Sequence, residues 1–156
     1  MTRQRRTPDT DWLALDRQLC FALYSASHAM TRAYLPLLAP LGLTYPQYLV
    51  MLVLWQQDGL TVSQLGERLT LDSATLTPLL KRLETAGHVQ RLRDTADERR
   101  LRLQLTPAGR ALRSRALHIP TTLAAATGCG LDQLSSLVQQ LSALRDRLST
   151  APPTTA

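Results

Sequence analysis

The sequence predicts a mainly helical (α+β) protein, in which a winged helix-turn-helix lies between N-terminal and C-terminal helices. Apolar residues recur at helical spacing along most of the 156 residues. Two short helical segments joined by a tight turn occupy the middle of the chain, and a strictly alternating segment at 101–105 follows them. The hydrophobic content of 44% is ample for a core and argues against disorder.

The first helix is predicted by an apolar stripe with alternating spacings of three and four residues. Pro36 and Pro40 are expected to interrupt this helix, because proline lacks a backbone N–H. Thr44 is the expected N-cap of a second helix, which has Pro46 in its first turn and runs to about Trp55. The stripe of the first helix consists of Trp12, Leu15, Leu19, Ala22, Ala26, Ala29 and Ala33.

The helix-turn-helix is predicted by capping signals on two short helices. Thr61 and Gln64 fit a capping box, in which a hydroxyl and an amide satisfy each other's backbone N–H groups. Asp72 is a good N-cap for the next helix, and Gly87 is well placed as the left-handed residue after its end. The inward face of this second helix is expected to consist of Leu76, Leu79, Leu80 and Leu83.

A hairpin and two further helices complete the pattern. The strands are expected at 88–93 and 101–105, with a charged tip between them. Thr106 and Pro107 start a helix, and Gly128 and Gly130 mark a break before the last one. That last helix carries a heptad seam of Leu134, Leu137, Leu141, Leu144 and Leu148.

The pattern divides the chain into one domain at 12–148 and two flanking segments, 1–11 and 149–156, that we expect to be flexible. Helices at 12–43 and 107–148 enclose a central module at 44–106. The outer helices have more apolar surface than this small module can cover. We therefore expect them to pack on each other and on a second subunit.

The positive charge is concentrated in the middle of the chain. The formal net charge is +6, and residues 61–115 carry 11 bases and 6 acids, or +5. A solvated face is the plain interpretation of such a run, whereas five arginines within 12 residues favour phosphate binding. These five are Arg91, Arg93, Arg99, Arg100 and Arg102.

The second helix of a helix-turn-helix enters the major groove of DNA, so its outward residues are candidates for base and phosphate contacts. Arg99 and Arg100 at the wing tip are long enough for the minor groove, and Asp97 is expected to brace the guanidinium of Arg99. The alternative is a winged helix that binds protein through a polar surface. The outward candidates on the helix are Ser73, Thr75, Thr77, Lys81 and Arg82.

With these features the sequence resembles the MarR family of bacterial transcription regulators over about residues 12–148. The resemblance implies a homodimer that uses the terminal helices for dimerisation and the 44–106 module for binding a pseudo-palindromic operator. The residues that carry it are Leu83-Glu84-Thr85-Ala86-Gly87-His88-Val89-Gln90-Arg91, Asp97-Glu98-Arg99-Arg100 and Leu105-Thr106-Pro107-Ala108-Gly109.

Cys20 and Cys129 are too few and too distant for a disulfide framework, and neither they nor the three histidines fit a metal-ligand spacing, so no cofactor is expected. Taken alone, Cys20 reads as a small buried hydrophobe and Cys129 as a surface cysteine at a helix break. The longest apolar runs, 35–43 and 48–55, are far shorter than the roughly 18 residues of a membrane span. No apolar segment follows the basic N-terminus, so the expected compartment is the reducing cytoplasm.

A second resemblance concerns Cys20. The segment Leu15-Asp16-Arg17-Gln18-Leu19-Cys20-Phe21-Ala22-Leu23-Tyr24-Ser25-Ala26 is similar to the signature of the organic hydroperoxide resistance regulators, a branch of the MarR family. The resemblance implies that Cys20 senses peroxide, that Tyr34 and Tyr45 hydrogen-bond its sulfur, and that Cys129 is the resolving thiol. Which subunit supplies the tyrosines stays open at this point.

The expected function is therefore a repressor, not an enzyme, that releases its operator when an organic hydroperoxide oxidises Cys20 and a disulfide forms with Cys129. One alternative is a family member that a small aromatic ligand releases from DNA. Another is a thiol peroxidase, although residues 16–19 before Cys20 lack the peroxiredoxin pattern.

Overall fold

The computed structural model describes residues 11–152. Of the segments expected to be flexible, 1–10 and 153–156 lie outside this range, whereas residues 149 and 150 are helical, so the predicted start of the tail at 149 is wrong. The described residues form a mainly helical fold with one two-stranded antiparallel sheet, which confirms the predicted fold class. The elements are α1 (Leu19–Leu38), α2 (Tyr45–Gln56), α3 (Val62–Leu69), α4 (Ser73–Thr85), β1 (Val89–Arg93), β2 (Leu101–Leu105), α5 (Pro107–Ala116), α6 (Ile119–Thr127) and α7 (Leu131–Thr150).

The predicted caps of the central helices are present. Thr44 and Thr61 form capping boxes at α2 and α3, since each hydroxyl accepts from a backbone N–H and each paired glutamine amide oxygen accepts from the threonine N–H. The carboxylate of Asp72 accepts from the N–H of Thr75 at 2.7 Å and caps α4. Gly87, at φ 78°, ends that helix in the left-handed conformation.

The turn between α3 and α4 is tight. Thr70 ends α3 at φ 56°, a left-handed conformation that is uncommon for a β-branched residue. A Cβ on Gly66 would lie 2.7 Å from the carbonyl oxygen of Leu71, so only glycine fits where the two helices approach. The inward side chains Leu76, Leu79, Leu80 and Leu83 are all buried, as predicted.

The wing is anchored at its base by the helix-turn-helix. Val89 pairs with Leu105 at the end of the ladder away from the hairpin turn, and the side chains of both are buried. The N–H of Leu103 donates to the carbonyl of Leu60 at 2.8 Å, and Thr61 forms an isolated bridge with Arg102. The strand β2 is therefore fixed to the start of α3 as well as to β1.

The first helix differs from the prediction at both ends. The chain makes a 3-10 turn at Leu15–Arg17, and α1 begins only at Leu19. The side-chain amide of Gln18 donates to the carbonyl of Trp12 at 2.6 Å and so competes with helical backbone bonding. At the other end the helix continues through Pro36 to Leu38, so the expected interruption at Pro36 does not occur, and Pro40 lies in a 3-10 turn at Ala39–Leu41.

The C-terminal helices also differ from the sequence pattern. One helix was expected from Pro107 to the break at Gly128, but α5 ends at Ala116 and α6 begins at Ile119. Pro120 explains the division, since its ring would clash with the carbonyl of Ala116 in a continuous helix.

Among the described residues, no single helix is both long and apolar enough to cross a membrane. Only the segments Leu19–Leu41 and Tyr45–Gln56 taken together reach that length and apolarity, and they are bent by 69° at the break between them.

A testable consequence concerns Gly109 in α5. A Cβ at this position would lie 2.0 Å from the carbonyl oxygen of His88, which is backbone and cannot move aside cheaply. Gly109→Ala is expected to lower the free energy of unfolding by about 2 kcal/mol or more. Denaturant unfolding at one fixed protein concentration measures this change.

Gly130→Ala is the matched control, because a Cβ there would meet only the side-chain oxygen of Gln133, at 3.9 Å. We expect it to cost less than about 1 kcal/mol. Equal losses in the two variants would contradict the close approach at Gly109.

Candidate nucleic-acid interface and cysteine site

The helix α4 presents a hydroxyl-rich and basic face to solvent. Its four leucines point into the core, and this leaves the predicted side chains Ser73, Thr75, Thr77, Lys81 and Arg82 exposed. The hydroxyl of Thr77 donates to the carbonyl of Ser73 at 2.7 Å, so its oxygen remains available to accept. The N–H of Thr75 holds the pKa of the capping Asp72 below its usual value, which keeps a negative charge at the start of the helix.

The wing tip differs in detail from the expected bracing. Asp97 accepts from the backbone N–H of Arg99 at 3.1 Å, and its other oxygen lies 3.6 Å from Nε of Arg100. The expected contact of Asp97 with the guanidinium of Arg99 is absent from the described wing, where Asp97 instead contacts the backbone of Arg99 and the side chain of Arg100. Asp97 therefore orders the turn, and the Arg99 side chain makes no hydrogen bond or ion pair to residues 11–152.

Three of the five arginines that the sequence groups together have carboxylate partners: Arg100 pairs with Asp97 inside the wing tip, and Arg91 and Arg102 have closer partners. Arg91 donates two hydrogen bonds to one oxygen of Glu84, at 2.8 and 3.0 Å, and so fastens β1 to the end of α4. Arg102 donates to Asp94 at 2.8 Å and to the carbonyl of Gly59 at 2.7 Å. The contacts of Arg91 and Arg102 tie the wing to the module, and they leave Arg93 and Arg99 as the arginines of this run without an ion pair among residues 11–152.

The pKa of Asp94 is lowered, first by the N–H of Ala96 and then by Arg102, while the pKa of Glu84 is lowered by its hydrogen bonds from Arg91. Both acids are therefore charged at neutral pH and neutralise arginines that sequence position alone leaves as phosphate candidates. The pairs Arg102–Asp94 and Arg91–Glu84 form only because the fold brings distant parts of the chain together. Counting the charged residues of the sequence therefore does not reveal them.

A groove of ≈ 310 Å³ lies between the helix-turn-helix and the wing. Thr61 and Ser63 from the start of α3, Thr77 from α4, and Arg99 and Arg100 from the wing line it. Hydroxyl groups, cations and the N-terminal turn of a helix face one space, an arrangement that suits the phosphate backbone of a nucleic acid.

The two cysteines are both reduced, and they lie on different parts of the fold. Cys20 is the second residue of α1 and is exposed. Cys129 is partly buried in the link between α6 and α7, after Gly128 in the left-handed conformation, and its sulfur lies 3.7 Å from the carbonyl of Thr127.

Within one chain the two cysteines form no disulfide. Thr127, two residues before Cys129, lines a groove with Ala26, Met30 and Ala33 of α1, all of which follow Cys20 on the same helix. A disulfide requires the two Cα atoms to lie within about 7 Å.

Tyr34 and Tyr45 form a pair, with ring centroids 4.8 Å apart. Burial, aided by the neighbouring Tyr45 and Tyr48, raises the pKa of Tyr34 to about 12, and burial also raises the pKa of Tyr45. Both phenols are therefore protonated at neutral pH and able to donate a hydrogen bond. Tyr48 completes the cluster, with its ring centroid 5.7 Å from that of Tyr34. The sequence did not assign it a role, although its position one helical turn after Tyr45 indicates that the two side chains share a face.

The pair and Cys20 of the same chain do not meet. Tyr34 lies 14 residues after Cys20 on the continuous helix α1, or about 21 Å along its axis. Among residues 11–152, moreover, no group of three or more His, Cys, Asp or Glu side chains could hold a metal ion.

The fold and the basic face define a winged-helix protein of the transcription-regulator class. The sequence model of the MarR family matches residues 43–101. The chain belongs to the MarR family and is a MarR-type transcriptional regulator, because it also aligns with curated regulators over nearly its whole length.

Two such relatives are informative. The chain is 52% identical to the HTH-type transcriptional regulator TtmR of Methylorubrum extorquens over 143 residues, which cover 92% of this chain and 73% of the relative. It is 47% identical to the organic hydroperoxide resistance transcriptional regulator of Bacillus subtilis over 134 residues, which cover 84% of this chain and 91% of the relative. The second match confirms the resemblance to that branch of the family.

Among solved structures, the chain is similar to AbfR of Staphylococcus epidermidis, with a TM-score of 0.74 and 35% identity over 88% of this chain and 95% of that one. AbfR is also known in a reduced, DNA-bound form and in a disulfide form, which match with TM-scores of 0.72 and 0.62. The repressor CouR bound to a 23-mer DNA duplex matches with a TM-score of 0.76 at 28% identity, over 84% of this chain and 94% of that one.

Arg99 has no ion pair among the described residues, whereas Arg102 is bonded to Asp94, so we expect different effects of substituting them. Arg99→Ala is expected to weaken DNA binding and to lower the slope of log affinity against log salt concentration by about one, while the free energy of unfolding stays unchanged. Arg102→Ala is expected to destabilise the fold, since it leaves the buried Asp94 without its guanidinium.

Fluorescence anisotropy over a series of salt concentrations and denaturant unfolding measure the two effects. The duplex is one selected from random sequence by the reduced protein. A loss of stability in Arg99→Ala, or an unchanged salt slope, would refute the assignment of Arg99 to the DNA interface.

Proposed function

We propose that the protein is a homodimeric repressor that binds a pseudo-palindromic operator when reduced and releases it when an organic hydroperoxide oxidises Cys20. The observation that carries the proposal is the separation between Cys20 and the tyrosine pair. The pair is half-buried, protonated and about 21 Å from the cysteine of its own chain, so it is available to the Cys20 of another subunit.

The exposed face of α4 and the wing support DNA as the partner. The side chains of Lys81, Arg82 and Arg99 make no ion pair within residues 11–152, and the wing groove adds hydroxyl donors beside them. In this proposal Ser73, Thr75 and Thr77 meet the major groove, and Arg99 and Arg100 meet the backbone or the minor groove. The DNA-bound structures of AbfR and CouR support the same partner.

The uncovered outer helices support the dimer. No residue of α7 is buried, and Leu137 and Leu141 of its seam are 46% and 44% exposed. In α1 only Leu38 is buried, so its apolar side chains also face solvent. A second copy that covers both helices would satisfy this surface, with 12–43 and 107–148 as dimerisation regions and 44–106 as the DNA-binding module.

The proposed chemistry takes two steps. The Cys20 thiolate attacks the O–O bond of the hydroperoxide, which gives a sulfenic acid and an alcohol. The Cys129 thiol then displaces the sulfenic oxygen as water and forms the disulfide. In this proposal the bond joins Cys20 of one subunit to Cys129 of the other.

The tyrosines contribute by hydrogen bonding. A phenol that stays protonated up to a pKa of about 12 donates to a thiolate and stabilises it, which favours the reactive form of Cys20. The disulfide form of AbfR supports the oxidised end state, and the regulator of Bacillus subtilis supports the class of oxidant.

A second candidate is release by a small aromatic acid. A cavity of ≈ 490 Å³ lies between α2 and α5, walled by Tyr48, Leu52 and Trp55, with Arg113 available for a carboxylate. This mechanism predicts loss of DNA binding under full reduction, with no requirement for Cys20.

The sensor assignment predicts the behaviour of Cys20→Ser. Cumene hydroperoxide is expected to release wild-type protein from the selected duplex in a gel shift, and to leave Cys20→Ser bound. Peroxide consumption by the wild type should stop at about one equivalent per subunit, because a regulator does not turn over. Release of the serine variant by peroxide would rule out Cys20 as the sensor.

The resolving assignment predicts the behaviour of Cys129→Ser. On non-reducing electrophoresis, peroxide-treated wild type is expected to run as a crosslinked dimer that thiols reverse. The Cys129→Ser variant should stay monomeric on the gel and accumulate a sulfenic acid that dimedone labels. A crosslinked dimer in this variant would exclude the Cys20–Cys129 bond.

A further inference from the structure

The tyrosine pair continues as a row of aromatic rings toward the DNA-binding module. The ring centroid of Tyr48 lies 5.7 Å from that of Tyr34. The ring centroid of Trp55 lies 6.3 Å from that of Tyr48, in an edge-on arrangement. Tyr48 and Trp55 are two turns apart on α2, so one rigid helix holds them in line. The row therefore reaches from the proposed sensor pair to the far end of α2.

The indole at the end of this row is bonded to α5. The Nε1–H of Trp55 donates to the carbonyl of Gly109 at 2.9 Å, across 54 residues of sequence. Gly109 is in turn the residue whose Cα faces the carbonyl of His88 too closely for any side chain. Trp55 thus fixes the segment of α5 that packs directly on His88.

His88 joins the recognition helix to the wing. Its N–H donates to Leu83 of α4 at 3.0 Å, and its carbonyl accepts from the N–H of Thr106 at 3.1 Å. The hydroxyl of Thr106 donates to the carbonyl of Gly87 at 2.5 Å, and it also caps α5 by accepting from Gly109. A shift at the start of α5 therefore moves the end of α4 and the base of the wing together.

We propose that Trp55 is the positioning residue that couples the tyrosine pair to the DNA-reading surface, through its hydrogen bond to Gly109. This inference rests on the proposed function, in which oxidation of Cys20 changes the hydrogen bonding of Tyr34 and Tyr45. The Trp55–Gly109 bond is intact in the DNA-binding state, and it lengthens or breaks when the tyrosine cluster repacks. Without its indole N–H, the DNA-reading surface no longer follows the state of the sensor.

The test is Trp55→Phe, which keeps an aromatic ring in the row and removes only the donor and part of the ring area. Trp12→Phe is the matched control, because Trp12 is 77% exposed and makes no contact with the aromatic row. The affinity of each protein for the selected duplex is measured before and after stoichiometric oxidation by cumene hydroperoxide.

In wild type and Trp12→Phe, oxidation is expected to lower the affinity by the same factor. In Trp55→Phe the ratio of reduced to oxidised affinity is expected to fall by roughly 5-fold or more, a typical size for coupling between sites. If oxidation lowers the DNA affinity of Trp55→Phe by the same factor as that of wild type, the proposed role of Trp55 is wrong. A wild type that oxidation does not release overturns the proposed function, and this inference with it.

A spectroscopic measurement covers the case in which Trp55→Phe does not fold. The chain has two tryptophans, so Trp12→Phe leaves Trp55 as the sole indole. With 5-fluorotryptophan incorporated, its ¹⁹F resonance is expected to shift on oxidation of this variant, and to stay in place in Trp12→Phe/Cys20→Ser. A resonance that oxidation does not move in the Cys20-containing protein overturns the inference.

Discussion

The packing of α5 on the carbonyl of His88 is the contact on which the rest of the structure depends. Only a glycine at position 109 permits it, since a Cβ there would overlap the carbonyl oxygen. The contact brings together the end of the recognition helix, the base of the wing and the first turn of the helix that leads to the outer region. The surface proposed to read DNA and the helices proposed for dimerisation therefore meet at one backbone junction.

The need to fix the base of the wing also explains why some arginines of the module have carboxylate partners. The wing can project its cations only if its base is fixed, and arginine side chains contribute to that fixing. Arg91 bonds Glu84 across the end of α4, and Arg102 bonds Asp94 and Gly59. The basic residues of the module thus serve two purposes, and those with carboxylate partners order the surface that the unpaired ones present.

Local signals were read correctly from the sequence, and long-range ones were not. The capping residues Thr44, Thr61 and Asp72 act over three residues, so their consequences are visible in the chain itself. The start of α1 depends on the Gln18 amide folding back onto Trp12, and the split before α6 depends on Pro120, which a helical pattern alone conceals. Likewise, the partners of Arg91 and Arg102 lie on other elements, which spacing in the sequence does not bring together. The positions of Tyr34 and Tyr45 followed from resemblance, whereas the contribution of Tyr48 required the packed structure.

The length of α1 gives the proposed switch its geometry. A continuous helix of 20 residues holds Cys20 near its start and Tyr34 about 21 Å further along its axis, so neither can reach the other within a subunit. Sensing through this pair is then possible only between subunits, and a covalent bond to Cys129 must change how the two subunits sit together. Two recognition helices read half-sites about one helical turn apart, so a change in subunit arrangement alters their spacing directly. In the proposed switch, the coupling of peroxide chemistry to DNA binding therefore follows from where one helix places its residues, without a ligand that bridges the two regions.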